Sequence, residues 1–192
     1  MKPPLILASA SPRRRQLLAE AGYEFEVDPS EIDEPDPAFG TEPAWYAADL
    51  AWKKGWAVAR RRKRGLVLAA DTVGAVDGIV LNKPADRAEA ERMIRLQEGR
   101  DSDVLTAVCL IRAETLEWVG AVEISVVRFR LLEVEERTAF LDSKKWRGKA
   151  GAYGVQDGDP FVTVARGSFS NVVGLPMERL DALLRGHPGL TS

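Results

Sequence analysis

Short apolar runs alternate with amphipathic stretches along this chain, and their two periods divide it into strands and helices. Residues 5–8, Leu-Ile-Leu-Ala, form a continuous apolar run of strand length. The turn Ser9-Ala10-Ser11 follows, with Ser11 placed as a cap and Pro12 suited to the first helical position. A strand therefore runs directly into a helix, predicted over 12–21 and closed by Gly22. A short strand over 23–27 gives way to Asp28-Pro29-Ser30-Glu31-Ile32-Asp33-Glu34-Pro35-Asp36-Pro37, whose prolines and acids specify a loop. Thr41 is placed to cap a helix with Glu42 and Pro43 in its first turn, ending near Arg62 in a basic run before Gly65, as a helix C-terminus favours. Trp45, Trp52 and Trp56 recur at helical spacing and are expected on its core face.

Residues 66–70 predict a buried strand that delivers Asp71 and Thr72 at its carboxyl end. A second strand and a turn at Asp77-Gly78 lead to Leu81-Asn82-Lys83-Pro84, after which Asp86 and Glu89 form a capping box for a helix reaching Glu98. Long strands over 104–111 and 118–131 and a helix over 133–142 come next. The segment 161–173 predicts a hairpin turning at Gly167-Ser168, and a last helix starts at Pro176. Strands and helices interleave without a regular βαβ repeat. The expectation is an α/β fold around a mixed sheet, in one domain over residues 1–192.

Composition narrows the function. With 45% apolar and 29% charged residues the 192-residue chain has the profile of a soluble globular protein, and 27 basic against 29 acidic residues make a poor footprint for general nucleic-acid binding. No segment approaches the roughly 18 consecutive apolar residues of a membrane span, and the apolar start is too short for a signal peptide. A single cysteine, Cys109, excludes disulfides within the chain and suits a reducing cytosol, so a cytoplasmic protein is expected. His187, the one histidine, lies in a Gly-His-Pro-Gly tail, which excludes a Ser-His-Asp triad, a Cys-His pair and an HExxH zinc site. Carboxylates, lysines and arginines are left to carry any chemistry.

Arg13, Arg14 and Arg15 crowd the positive end of a helix dipole, where each exposed cation costs about 0.3–1 kcal/mol. A bound phosphate would remove that conflict; a solvated basic turn is the plain alternative. Neither GxxxxGK[ST] nor a strand-borne GxGxxG is present, so a phosphate site must be assembled from separate pieces. Asp71, after its strand, can hold Mg²⁺ or accept a proton from water, or simply cap a turn. Glu31, Asp33 and Glu34 can complete a hard-cation site. Lys83, fixed between Asn82 and Pro84, suits a polyphosphate, whereas Lys53, beside Trp52, either binds phosphate or snorkels. In Lys149-Ala-Gly-Ala-Tyr-Gly-Val-Gln156 the small residues permit close approach to a flat ligand, and the Gln156 amide has both a donor and an acceptor for the edge of a base.

In this order, Leu7-Ala-Ser-Ala-Ser-Pro-Arg-Arg14, Ser30-Glu-Ile-Asp-Glu34, Ala70-Asp-Thr-Val73, Asn82-Lys-Pro84, Thr106-Ala-Val108, the 149–156 segment and Asn171-Val-Val-Gly-Leu-Pro176 closely resemble the Maf family of nucleoside triphosphate pyrophosphatases. The resemblance implies an elongated α/β fold with a mixed sheet, similar in outline to inosine triphosphate pyrophosphatases, a divalent cation such as Mg²⁺ or Mn²⁺, and a homodimer. It also implies that Asp71 is the proton acceptor and a metal ligand. Ser9, Arg13, Arg14, Lys53 and Lys83 fall on substrate positions, Glu34 on a metal position with Glu31 and Asp33 as further candidates, and Arg13, Thr72 and Gln156 where the family separates its substrates. The motifs are similar to the branch acting on dTTP and UTP, with modified pyrimidine triphosphates within its scope, more than to the branch acting on 7-methyl-GTP. A septum-associated regulator that binds nucleotide without turnover is the competing expectation. The chain departs from the family pattern at Asn82, often glycine there, and at Trp146-Arg147-Gly148.

Overall fold

The computed structural model describes residues 3–191. Its elements are β1 (Leu5–Leu7), α1 (Pro12–Glu20), β2 (Phe25–Val27), α2 (Pro43–Arg62), β3 (Leu66–Val76), β4 (Ile79–Leu81), α3 (Arg87–Gln97), β5 (Asp101–Arg112), β6 (Trp118–Phe129), α4 (Val134–Asp142), β7 (Val162–Arg166), α5 (Phe169–Val173), α6 (Met177–Gly186) and α7 (Pro188–Thr191). Seven strands form one mixed sheet in the order β2-β1-β3-β5-β6-β7, with β4 also paired to β3. The β2–β1 and β1–β3 pairs are parallel and the rest antiparallel. This is the mixed α/β architecture expected.

The alternation along β3 decides where the site's groups go. Val67, Ala69, Val73 and Ala75 pack under α2, while Leu66, Leu68 and Ala70 pack on the opposite face with Leu18, Leu180 and Leu183 from α1 and α6. With a side-chain period of two, Asp71 must point to the α2 side and Thr72 to the α1 side. Helix α2 approaches the sheet closely because a glycine faces it: a Cβ on Gly55 would lie 3.0 Å from Ile111 Cδ1 and 3.2 Å from Ala69 Cβ.

Four sequence expectations are corrected. Residues 66–76 form one continuous strand, so Asp71 and Thr72 sit mid-strand, in register with Ala107 and Thr106, and not at a carboxyl end. Their side chains find polar partners, so nothing forces the ladder to stop there. Glu42, not Thr41, caps α2, accepting from the amides of Ala44 and Trp45 at 3.0 and 2.6 Å. Residues 169–173 are helical, started by Ser168, whose hydroxyl accepts from Asn171 N. The tryptophans do not make the core face of α2: Trp45 is 63% exposed, and the stacked pair Trp52–Trp56 lies at the core margin. The buried stripe is Tyr46, Ala47, Leu50, Ala51, Lys54, Gly55, Val58 and Ala59.

Candidate active site

A cleft of about 680 Å³ opens where the β1–α1 turn, mid-β3, the acidic loop, the Lys83 loop and the 148–156 segment meet. Ser9, Arg13, Arg14, Glu34, Asp71, Thr72, Lys83 and Gln156 line it.

At the α1 end, Ser11 Oγ accepts from Arg14 N at 3.4 Å, and Ser9 Oγ accepts from Ser11 N at 3.2 Å. The Arg14 guanidinium is folded back onto protein oxygens, donating to Gly174 O (2.8 Å), Ser9 Oγ (3.1 Å) and Thr72 Oγ1 (3.1 Å). Burial lowers its pKa, and the negative charge of Asp71 opposes that. Thr72 lies 3.0 Å from Thr106 Oγ1, which donates to Asn171 O. Arg14 is thus a fixed cation anchored by a buried polar chain. Arg13 makes only a 3.4 Å bond to Gly148 O and lines the cleft, from where it can turn toward an anion.

On the other face of β3, Lys54 Nζ stands between two carboxylates, 2.5 Å from Asp71 Oδ1 and 2.8 Å from Glu34 Oε1. Asp71 and Lys54 are both 6% exposed. Burial would raise the Glu34 pKa, but the hydrogen bond and charge of Lys54, joined by Lys83, outweigh it and hold Glu34 below the usual carboxylate range. Lys83 is exposed and reaches Glu34 Oε2 at 3.6 Å. The acidic loop is pinned by Tyr46, whose hydroxyl donates to Pro35 O at 2.8 Å, and by Asn82 Nδ2, 3.1 Å from Tyr46 Oη and 3.4 Å from Asp36 Oδ1. Asn82 therefore ties the Lys83 loop to the acidic loop, which a glycine could not do.

In the 148–156 segment Lys149 pairs with Asp157 and Gly154 N donates to Asp159 Oδ2 at 3.1 Å. A Cβ on Gly154 would meet the side-chain ends of Gln156 and Lys149, Nε2 at 2.8 Å and Nζ at 2.9 Å, and would push both groups aside.

Three candidates lie elsewhere. Lys53 is exposed and pairs with Asp49 at 2.6 Å, and with Asp33 it lines a separate hollow against Trp52 and Trp56. The charge of Glu31 acts on Arg61. The α2 lysine in the cleft is Lys54, one position on, and the signal for it is helical spacing: 47, 50, 51, 54 and 58 form the buried stripe, from which 53 is displaced by about 100°. Tyr46 and the Asn82 side chain escaped the sequence reading because what they hold is distant along the chain.

Asp71 and Glu34 converge on Lys54 Nζ, so a hard cation would bind beside the ammonium through their remaining oxygens, as Mg²⁺ takes one or two carboxylates and fills its shell with water and phosphate oxygens. Among the described residues no group of three acidic, cysteine or histidine ligands is assembled, so such an ion would need the substrate to complete its shell.

A family model described as Maf-like protein matches residues 4–187. The dTTP/UTP pyrophosphatase of Rhodopirellula baltica is 48% identical over 186 residues, covering 94% of this chain and 80% of that protein. Proteins of the same name from Symbiobacterium thermophilum and Bdellovibrio bacteriovorus are 43% and 40% identical, each covering at least 96% of both chains.

Proposed function

The chain belongs to the Maf family, and we propose that it is a nucleoside triphosphate pyrophosphatase that hydrolyses dTTP and UTP to the monophosphate and pyrophosphate. The observation that carries the reading is the cleft itself, a ligand-sized space with a buried carboxylate, Asp71, on one wall and three cations, Arg14, Arg13 and Lys83, around it.

Asp71 is the group that receives a proton from the attacking water. Its Oδ1 is held by Lys54, leaving Oδ2 for that proton, and the Lys54 ammonium keeps the carboxylate oriented. Water attacks the α-phosphorus, the bond from that phosphorus to the bridging oxygen breaks, and pyrophosphate departs. Arg14 and Arg13, with Lys83, offset the charge on the phosphates, and the preorganised donors stabilise that charge as it develops. Glu34 and Asp71 would hold Mg²⁺ or Mn²⁺, which supplies further Lewis-acid neutralisation of the triphosphate. Gln156 reads the pyrimidine edge with its amide.

We also infer a cytoplasmic enzyme, where nucleoside triphosphates are made and where a reducing environment keeps the buried Cys109 a thiol, and a homodimer. Among the described residues no helix is long and apolar enough to cross a membrane. The test is a panel of nucleoside triphosphates with Mg²⁺ or Mn²⁺, read as pyrophosphate release. Metal-stimulated turnover is expected, with dTTP and UTP preferred. Preference for 7-methyl-GTP or purine triphosphates overturns the substrate assignment, and tight nucleotide binding without pyrophosphate release overturns the enzyme in favour of a regulator.

A further inference from the structure

β6 has a partner on one side only over most of its length. β5 pairs with it from Trp118 onward, but β7 covers only Val126 to Phe129, where the ladder also shifts register. Residues 118–124 are therefore an open sheet edge, closed at Ser125, which is buried under Gly167 and Ser168. The phase of the ladder shows which backbone groups are open. Arg112 N donates to Glu117 O at one end and Phe129 N to Arg100 O at the other, so odd-numbered residues of β6 bond toward β5. Arg130 N donates to Phe161 O, on the β7 side, as the even positions must. Trp118, Gly120, Val122 and Ile124 thus direct N–H and C=O outward.

Exposed edges are normally blunted by short length, lysine, proline or a bulge. The opposite edge of this sheet obeys that rule, since β2 has three residues and carries the exposed Glu26. The β6 edge does not. Its only charged residue from Trp118 to Val127 is Glu123, which is paired with Arg179 at 2.8 Å, while Trp118 and Ile124 are 55% and 51% exposed.

We propose that a second copy of this chain docks on this edge, its β6 antiparallel to the first about a two-fold axis through Ala121, so that the two sheets become one. This rests on the homodimer proposed above and on no step of catalysis. The edge is self-complementary in that register. Trp118 lies opposite Ile124 of the second copy and Gly120 opposite Val122, so all the outward backbone groups are paired. By the same symmetry the two exposed apolar side chains meet twice. Glu123 falls opposite Val119, so no like charges face each other. None of the residues 118–125 lines the cleft.

Light scattering after size exclusion should give a dimer for the parent chain. Ile124→Lys, a change at an exposed position, should weaken association by about tenfold or more through two lost cross-strand pairs, with the circular dichroism of the folded chain unchanged. Adding Trp118→Glu should restore the dimer, because the acid then faces the new lysine. Ala121→Cys should form an intermolecular disulfide on mild oxidation, since the register makes this a non-hydrogen-bonded pair with Cα atoms about 4.5 Å apart, within disulfide range. Ile124→Cys should not. A monomeric parent, a dimer indifferent to Ile124→Lys, or a disulfide at 124 and not at 121 overturns the proposal. Pyrophosphate release is scored separately, so a folded dimer without turnover would count against the function and leave this interface standing.

Discussion

Replacing Lys54 with methionine should convert the centre of the cleft from a compensated triad into two carboxylates with no cation between them. Methionine fills the space of the lysine stem, so the loss is chiefly electrostatic. Removing one partner of a buried ion pair costs about 3–5 kcal/mol, and the Lys54–Asp71 pair qualifies because both side chains are 8% exposed. The Glu34 contact adds little, since Glu34 is 40% exposed and a pair open to solvent contributes at most about 1 kcal/mol. For a chain of this size each kcal/mol moves Tm by about 2–4 °C, so a fall of roughly 6–20 °C is expected near neutral pH.

The pH dependence gives the sign. In the parent chain Glu34 is held below the usual carboxylate range, so its contribution is present above its unfolded pKa and is lost as pH falls through the lower folded value. In Lys54→Met the Glu34 carboxylate loses the hydrogen bond and charge that offset its burial, so its part of the deficit should be full at pH 7–8 and shrink as pH falls through the carboxylate range. Millimolar Mg²⁺ should recover part of it by replacing the missing positive charge. Calorimetry of parent and variant from pH 8 to pH 5, with and without Mg²⁺, reads all three effects. A deficit that is flat with pH and blind to Mg²⁺ would show that Lys54 acts by packing alone, and no deficit at all would refute the buried pair.

Three further outcomes are expected. Asp71→Asn should lower turnover by about 10²–10⁴ while triphosphate still binds through Arg13, Arg14 and Lys83; calorimetric binding beside pyrophosphate release checks this, and near-parent turnover refutes Asp71 as the proton acceptor. Lys53→Ala should leave KM and kcat for dTTP close to the parent values, because Lys53 pairs with Asp49 outside the cleft; a large rise in KM would return Lys53 to the substrate site. Gln156→Ala should narrow the kcat/KM ratio between dTTP and the other triphosphates more than it slows a poor substrate, because a base left without its hydrogen-bonding partner is penalised by several kcal/mol; unchanged ratios would remove Gln156 from the base pocket.

Much of this protein is legible without coordinates, and where legibility ends has a physical pattern. Caps and breakers act within a few residues, so the α1 start at Ser11-Pro12, the acidic loop and the cap of α3 at Asp86 are readable from the chain alone. Apolar runs located the sheet, and the ordered motifs carried the family. A choice between neighbouring residues was harder. Lys53 and Lys54 differ only by about 100° around α2, and the tryptophans suggested an orientation that the alanines and Gly55 override, because tight packing against Ala69 and Ile111 favours small residues over large ones. The continuation of β3 through Asp71 and Thr72 was likewise settled by groups far along the chain: Lys54 satisfies the carboxylate, Arg14 and Thr106 satisfy the hydroxyl, and β5 supplies the ladder. Local sequence thus determined which segments are strands, helices and loops and which residue types could do chemistry. Only the tertiary structure decided which side chains share the cleft, because alternation along β3 sends adjacent residues to opposite faces, where different helices meet them.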